Sequence, residues 1–147
     1  MGELEQKQRR IYLAAESMLQ DLREAADALD FMLGDEAFRH LPKLLVDKHK
    51  ISVTGKMIRR QVGNQEINLL AEGARGQIPV LIVGEVKSQL TAQDFTQLKN
   101  KIKEVEKHYP AAAGREIVPI MVVHSAREKE LQRAEREGVI VVQSFEW

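Results

Sequence analysis

An acid and a base lie two residues apart at the end of the most apolar segment of the chain. Ile78–Val83 is the longest apolar run, and Glu85 and Lys87 follow it with Val86 between them. Alternate residues of a β-strand point to the same face, so Glu85 and Lys87 share one face of a strand that is buried on both sides. Such a pair is a buried ion pair, two solvated groups at the end of the strand, or a pair of groups that the protein uses in chemistry.

The preceding strand brings more polar groups to the same place. A hairpin turn between the two strands sets Asn68 opposite Glu85, and Glu66 lies two residues from Asn68 on the same face, near Lys87. Oxygen ligands on adjacent strands suit a hard divalent cation such as Mg²⁺. A neighbouring lysine can orient a water or stabilise the charge that develops on a phosphorane. The spacing therefore predicts a cluster of Glu66, Asn68, Glu85 and Lys87 with metal-site chemistry.

The elements that must position this hairpin are those of an α/β protein. After the N-terminal region, hydrophobic periodicity predicts the order helix, three strands, helix, strand, helix, strand. In chain order the segments are a helix from Asp35, a strand or bent hairpin at 51–62, strands at 66–72 and 79–86, a helix from Thr91, a strand at 116–123, a helix capped by Ser125, and a strand at 139–142. Hairpins come first and crossovers follow, so we predict a mixed, roughly five-stranded sheet flanked by helices.

The first third of the chain predicts one long helix. Residues 4–32 include no proline, and apolar residues recur there at heptad spacing that only Gln8 breaks. The seam consists of Leu4, Ile11, Met18, Ala25 and Met32, with Ala15, Leu22 and Leu29 four residues after three of them. The pattern predicts a coiled coil that joins copies of the chain; the alternative is a helix packed on its own domain. Gly34–Asp35 predicts a break, which gives an oligomerisation helix at 1–33 and a second domain at 34–147.

The hairpin and its surroundings resemble the PD-(D/E)XK nuclease superfamily. Gly63–Glu72 (GNQEINLLAE) followed by Val80–Ser88 (VLIVGEVKS) resembles the hairpin of that superfamily, which has an acid on one strand and E-x-K on the next. The predicted order also matches its αβββαβ core, and the resemblance covers roughly residues 35–143.

The resemblance implies a role for each polar residue. Glu85 would be a metal ligand in the catalytic site, the Val86 carbonyl a second ligand, and Lys87 the catalytic lysine. Asn68 falls where the superfamily usually has an aspartate, and Glu36 resembles its helix-borne acid. The implied activity is that of a Mg²⁺- or Mn²⁺-dependent endonuclease that hydrolyses DNA phosphodiesters.

Asn68 departs from the pattern, because asparagine offers a neutral oxygen and removes one negative charge from the metal site. Three explanations follow: the site is inactive, Glu66 or Glu72 supplies the carboxylate in another register, or Asn68 is a substitution in an otherwise intact site. The alternative function is a catalytically weak or inactive nuclease-like module that serves oligomerisation or partner binding.

Composition narrows the possible partners. The 147 residues include no cysteine, which excludes disulfides, thiolate metal sites and cysteine nucleophiles. Lys+Arg and Asp+Glu balance at 22 each, which disfavours a globally basic nucleic-acid binder but leaves room for a local basic face. Lys56, Arg59 and Arg60 are the candidate DNA contacts, with a solvated face as the alternative. The charged N-terminus and short apolar runs predict a cytoplasmic protein without a membrane partner.

Overall fold

A computed structural model describes residues 2–147 as a mixed α/β fold with one curled sheet and three helices. The elements are α1 (Glu3–His49), β1 (Ile51–Val53), β2 (Ile58–Val62), β3 (Gln65–Arg75), β4 (Ile78–Gln89), α2 (Ala92–His108), β5 (Glu116–Ser125), α3 (Glu128–Glu137) and β6 (Ile140–Gln143), with 3-10 turns at Pro110–Ala112 and Ser144–Glu146. The sheet order is β1-β3-β4-β5-β6, and β2 shares the β1 edge of β3. Pairs are antiparallel from β1 to β4 and parallel from β4 to β6, so the predicted mixed sheet is confirmed.

The central hairpin has the predicted register but longer strands. Pairing runs from Leu69 opposite Gly84 to Arg75 opposite Ile78, around a turn at Gly76, whose φ is +61°. The strands predicted at 66–72 and 79–86 leave Gly73 in the turn between them, whereas Gly73 lies in the ladder between β1 and β4. A Cβ at this glycine would lie 2.4 Å from the Ser52 carbonyl oxygen, so Gly73 allows close strand approach rather than a turn.

Helix α1 is continuous, and the predicted break at Gly34–Asp35 is wrong. Gly34 is buried within the helix, and a Cβ there would lie 2.9 Å from Nη2 of Arg59. The glycine therefore serves packing against β2 and does not end the helix. Residues 2–29 of the chain are all exposed, so the first half of α1 projects away from the sheet.

The two faces of the sheet are covered by different helices. Leu41 and Leu45 of α1 are fully buried against Ile82 and Val122 on one face. Helix α2 covers the other face and starts where the sequence predicts, after a capping box formed by Thr91 and Asp94. Helix α3 begins at Glu128 with Arg127 as its N-cap, because Ser125, the predicted cap, is still part of β5.

Within residues 2–147, no helix combines the length and the apolar character that crossing a membrane requires.

Candidate functional site

A β-bulge in β3 determines which polar groups meet at the predicted site. Along β2 the pairing advances two residues from Ile58 to Arg60, while along β3 it advances three, from Leu70 back to Ile67. One extra residue is therefore accommodated in β3 at Asn68–Leu69, and such a bulge shifts the alternation of side chains. Ile67 consequently packs on the α2 face, although Leu69 packs on the α1 face.

The bulge separates the four residues that the sequence predicted on one face. β4 keeps a regular parallel register with β5, so Glu85 and Lys87 lie together on the α2 face. Glu66 and Asn68 line a cavity on the α1 face together with Val86. The predicted single-face cluster is therefore wrong: Asn68 contacts Glu85 through its backbone, and Glu66 lies on the opposite face from Glu85 and Lys87.

The carboxylate of Glu85 is buried, and both of its oxygens have partners. Oε2 accepts a hydrogen bond from the backbone N–H of Asn68 at 3.1 Å, and Oε1 contacts the ammonium of Lys101 on α2. Burial raises the pKa of Glu85 above its ordinary value of 4.5, and the contacts with Lys101, Asn68 and Lys87 act in the opposite direction. The site therefore contains the buried ion pair that the spacing left open, but the partner of Glu85 is Lys101.

The side chain of Asn68 is also engaged. Its Oδ1 accepts a hydrogen bond from the backbone N–H of Val86 at 3.1 Å. Together with the bond from Asn68 N–H to Glu85, this contact joins β3 and β4 beyond the last regular pair, Leu69 and Gly84. The amide thus replaces ladder hydrogen bonds that the bulge interrupts, and its oxygen is directed at a backbone donor.

The α1 face of the hairpin carries a shallow cavity of about 380 Å³. It is lined by Asp27, Asp30, Phe31, Arg59, Glu66, Asn68 and Val86. Asp30 Oδ1 accepts a hydrogen bond from the Ser88 N–H at 2.7 Å, which ties α1 to the end of β4. Arg59 lies over the Phe31 ring, 5.2 Å from its centroid. Because α1 continues through Gly34, its acids Asp27 and Asp30 face the hairpin.

Glu36 does not join this cavity, although the resemblance implies a helix-borne metal ligand at that position. Its Oε2 accepts a hydrogen bond from the Trp147 indole N–H at 3.4 Å, at the C-terminal end of the described chain. The continuous helix therefore presents Asp27 and Asp30 at the hairpin and turns Glu36 towards the last 3-10 turn.

The three predicted DNA contacts do not form one surface. Arg59 lines the cavity on the α1 face, whereas Arg60 lies over the Tyr109 ring, 5.5 Å from its centroid. Successive residues of β2 point to opposite faces, which separates the two arginines. Lys56 is exposed in the loop between β1 and β2.

In this arrangement the oxygen atoms of Glu85 and Asn68 are not free to bind a divalent cation. Each oxygen of Glu85 faces a donor, and the Asn68 oxygen faces the Val86 N–H. Across residues 2–147, no group of three or more His, Cys, Asp or Glu side chains is arranged to hold a metal ion. Mg²⁺ needs oxygen ligands that are free to point at it in near-octahedral geometry.

Sequence reasoning missed Lys101, Asp27 and Asp30. Lys101 occurs in a lysine-rich stretch of α2 that reads as a solvated surface, and nothing in its spacing singles it out. The two aspartates fall on the segment assigned to oligomerisation. Their spacing of three residues, which puts them on one helix face, was the available signal.

Comparisons with known proteins yield distant structural similarities. A repair endonuclease from Pyrococcus abyssi is similar with a TM-score of 0.47 and 16% identity, over 71% of this chain and 45% of that one. EndoMS in its apo form is similar with a TM-score of 0.42 and 16% identity, over 72% of this chain and 45% of that one. The chain thus matches less than half the length of either structure. No curated protein matches it. A family model matches residues 35–146, and the chain belongs to that family, described as a domain of unknown function, DUF8196.

Proposed function

We propose that the chain is a nuclease-like module of the PD-(D/E)XK type that assembles with copies of itself and has a silent catalytic site. The observation that carries the proposal is the projecting half of α1. This half exposes large apolar residues along the predicted heptad seam; Ile11 and Leu22, for example, are 69% and 64% exposed. Most of the stability of a helix in a protein comes from packing of its apolar face, so this exposed seam would be stabilised by another helix that covers it.

The chemistry of the seam favours a second copy as its partner. Residues at heptad spacing form knobs that fit the holes of an identical helix, and the seam spans about 40 Å of helix. Tyr12 and Leu19 follow Ile11 and Met18 directly and are also exposed, which widens the apolar stripe. A stripe of that width favours a bundle of more than two helices over a two-stranded coiled coil.

Light scattering after size-exclusion chromatography tests the assembly. The wild-type mass is expected to be a multiple of 16.7 kDa. Ile11→Asp with Leu22→Asp places two charges in the seam and should reduce the mass to that of one chain. Gln6→Asp with Ser17→Asp makes the same charge change on the opposite side of α1 and should leave the assembly intact. A monomeric wild type, or an unchanged mass after the seam substitutions, would refute the proposal.

Silence of the site is supported by the contacts of Glu85 and Asn68. The carboxylate is neutralised by Lys101, and the residue in the aspartate position is an uncharged amide held by a backbone donor. A site that binds a divalent cation needs carboxylate charge that is not already balanced.

A second candidate function is a Mg²⁺- or Mn²⁺-dependent DNA endonuclease. The observation that favours it is the placement of Glu85 and Lys87 on one strand face, with Asn68 in hydrogen-bonding contact. Cleavage of supercoiled, linear and branched DNA with either metal, compared between the wild type, Glu85→Ala and Asn68→Asp, separates the two functions. Wild-type cleavage that Glu85→Ala abolishes would establish the nuclease, whereas the silent module predicts no cleavage by the wild type.

A further inference from the structure

Lys101 provides a positive charge inside the candidate site. Its ammonium contacts Oε1 of Glu85, and the side chains of Lys101 and Glu85 are 18% and 4% exposed. A buried carboxylate stays ionised when opposite charge and hydrogen-bond donors accompany it. Lys101 provides the charge, and the Asn68 N–H provides the second donor.

We infer that Lys101 acts as a built-in cation that holds Glu85 in a metal-free arrangement, an inference that rests on the proposed silent site. The charges of Glu85 and Lys101 cancel, and Asn68 adds none. A divalent cation approaching Glu85 would be repelled by the ammonium and would find a neutral amide in place of a second carboxylate. Lys101 is thus a positioning residue that acts through Glu85.

Two changes, and not one, should therefore be needed to create a metal site. Asn68→Asp alone adds a carboxylate but leaves Glu85 engaged by Lys101. Loss of Lys101 alone frees Glu85 but leaves a single carboxylate. Both changes together give two carboxylates without a competing ammonium. Their effects on metal affinity should exceed the sum of the single effects, because residue 68 is in direct hydrogen-bonding contact with Glu85 and Lys101 contacts the same carboxylate.

Calorimetric titration with Mn²⁺ alone, at fixed pH and salt, tests this inference on the full chain. The proteins are the wild type, Asn68→Asp, Lys101→Met and the double variant Asn68→Asp/Lys101→Met. The double variant is expected to bind one Mn²⁺ at least about tenfold more tightly than either single variant. Changes of residues that contact metal ligands typically alter metal affinity by this much. If Asn68→Asp and the double variant bind Mn²⁺ with equal affinity, whether tight or weak, the inference about Lys101 is overturned.

Two further variants keep the result interpretable. Lys101→Gln retains a hydrogen-bond donor for Glu85 without the charge, so Asn68→Asp/Lys101→Gln should also gain affinity even if the methionine variant folds poorly. Asn68→Asp/Lys103→Met removes an exposed lysine from the same helix and should behave like Asn68→Asp. Light scattering on the same samples reports assembly separately, so loss of the oligomer and failure of the lysine inference are distinguishable outcomes.

Discussion

Replacing Lys101 with methionine removes the positive charge from a carboxylate that remains buried. The side chain of Glu85 is 4% exposed, and breaking such a pair typically costs about 3–5 kcal/mol of folding stability. The Asn68 N–H and the charge of Lys87 still act on Glu85 in the variant. We therefore expect the lower end of that range, about 3 kcal/mol, which corresponds to a decrease in Tm of about 6–12 °C for a chain of this size.

The loss of folding stability caused by Lys101→Met should depend on pH. The pKa of Glu85 is raised from 4.5 by burial, and removing Lys101 removes the strongest opposing influence, so it rises further in the variant. A carboxyl group whose pKa is raised in the folded state contributes stability when the pH is below its pKa in the unfolded state. This contribution is lost as the pH increases through its pKa in the folded state. The stability difference between Lys101→Met and the wild type should therefore be largest at neutral pH and shrink as pH falls towards 4.5.

Urea unfolding followed by circular dichroism measures these differences, at one protein concentration because assembly contributes to stability. Lys103→Met, on the exposed side of α2, should change stability by less than about 0.5 kcal/mol. Glu85→Gln/Lys101→Met removes both charges and should recover most of the loss. If Lys101→Met is as stable as the wild type at pH 7, or if the double variant is no more stable than the single one, Lys101 does not neutralise Glu85.

Two further predictions test the packing that holds the hairpin. Leu41→Ala should destabilise the fold by about 2–5 kcal/mol in urea unfolding, because this fully buried side chain leaves a cavity, whereas the exposed Val46→Ala should be near neutral. Gly73→Ala should cost about 1–3 kcal/mol and increase amide exchange in β1, because its Cβ would overlap the Ser52 carbonyl. Gly55→Ala, where the nearest atom lies 3.8 Å away, should show neither effect, and equal behaviour of the two glycine variants would contradict the close approach.

Local patterns in the sequence were sufficient for much of the architecture. Strand alternation and turn position define a hairpin register, and Leu69 indeed pairs with Gly84. Capping at Thr91 and the helical periodicity after it correctly predicted α2. The order of hairpins and crossovers correctly predicted a mixed sheet. These features depend on residues close in the chain, so their physical causes can be read from the sequence.

Two glycines were assigned wrongly from the local sequence. Gly34 read as a helix end and Gly73 as a turn, yet the first lies within α1 and the second within a three-strand ladder. Glycine permits a turn, but it also permits close approach of distant groups, here Arg59 and the Ser52 carbonyl. Which of the two applies is decided by the elements that pack against it.

The candidate site depended most on tertiary structure. The sequence by itself placed Glu85 and Lys87 on one strand face and Asn68 beside them. The bulge then moved Glu66 to the other face, and the docking of α2 brought Lys101, rather than another lysine of the same helix, onto Glu85. Alternation along a strand is a local property, whereas an inserted residue in a ladder and the rotation of a helix over a sheet are set by the packing of the whole core.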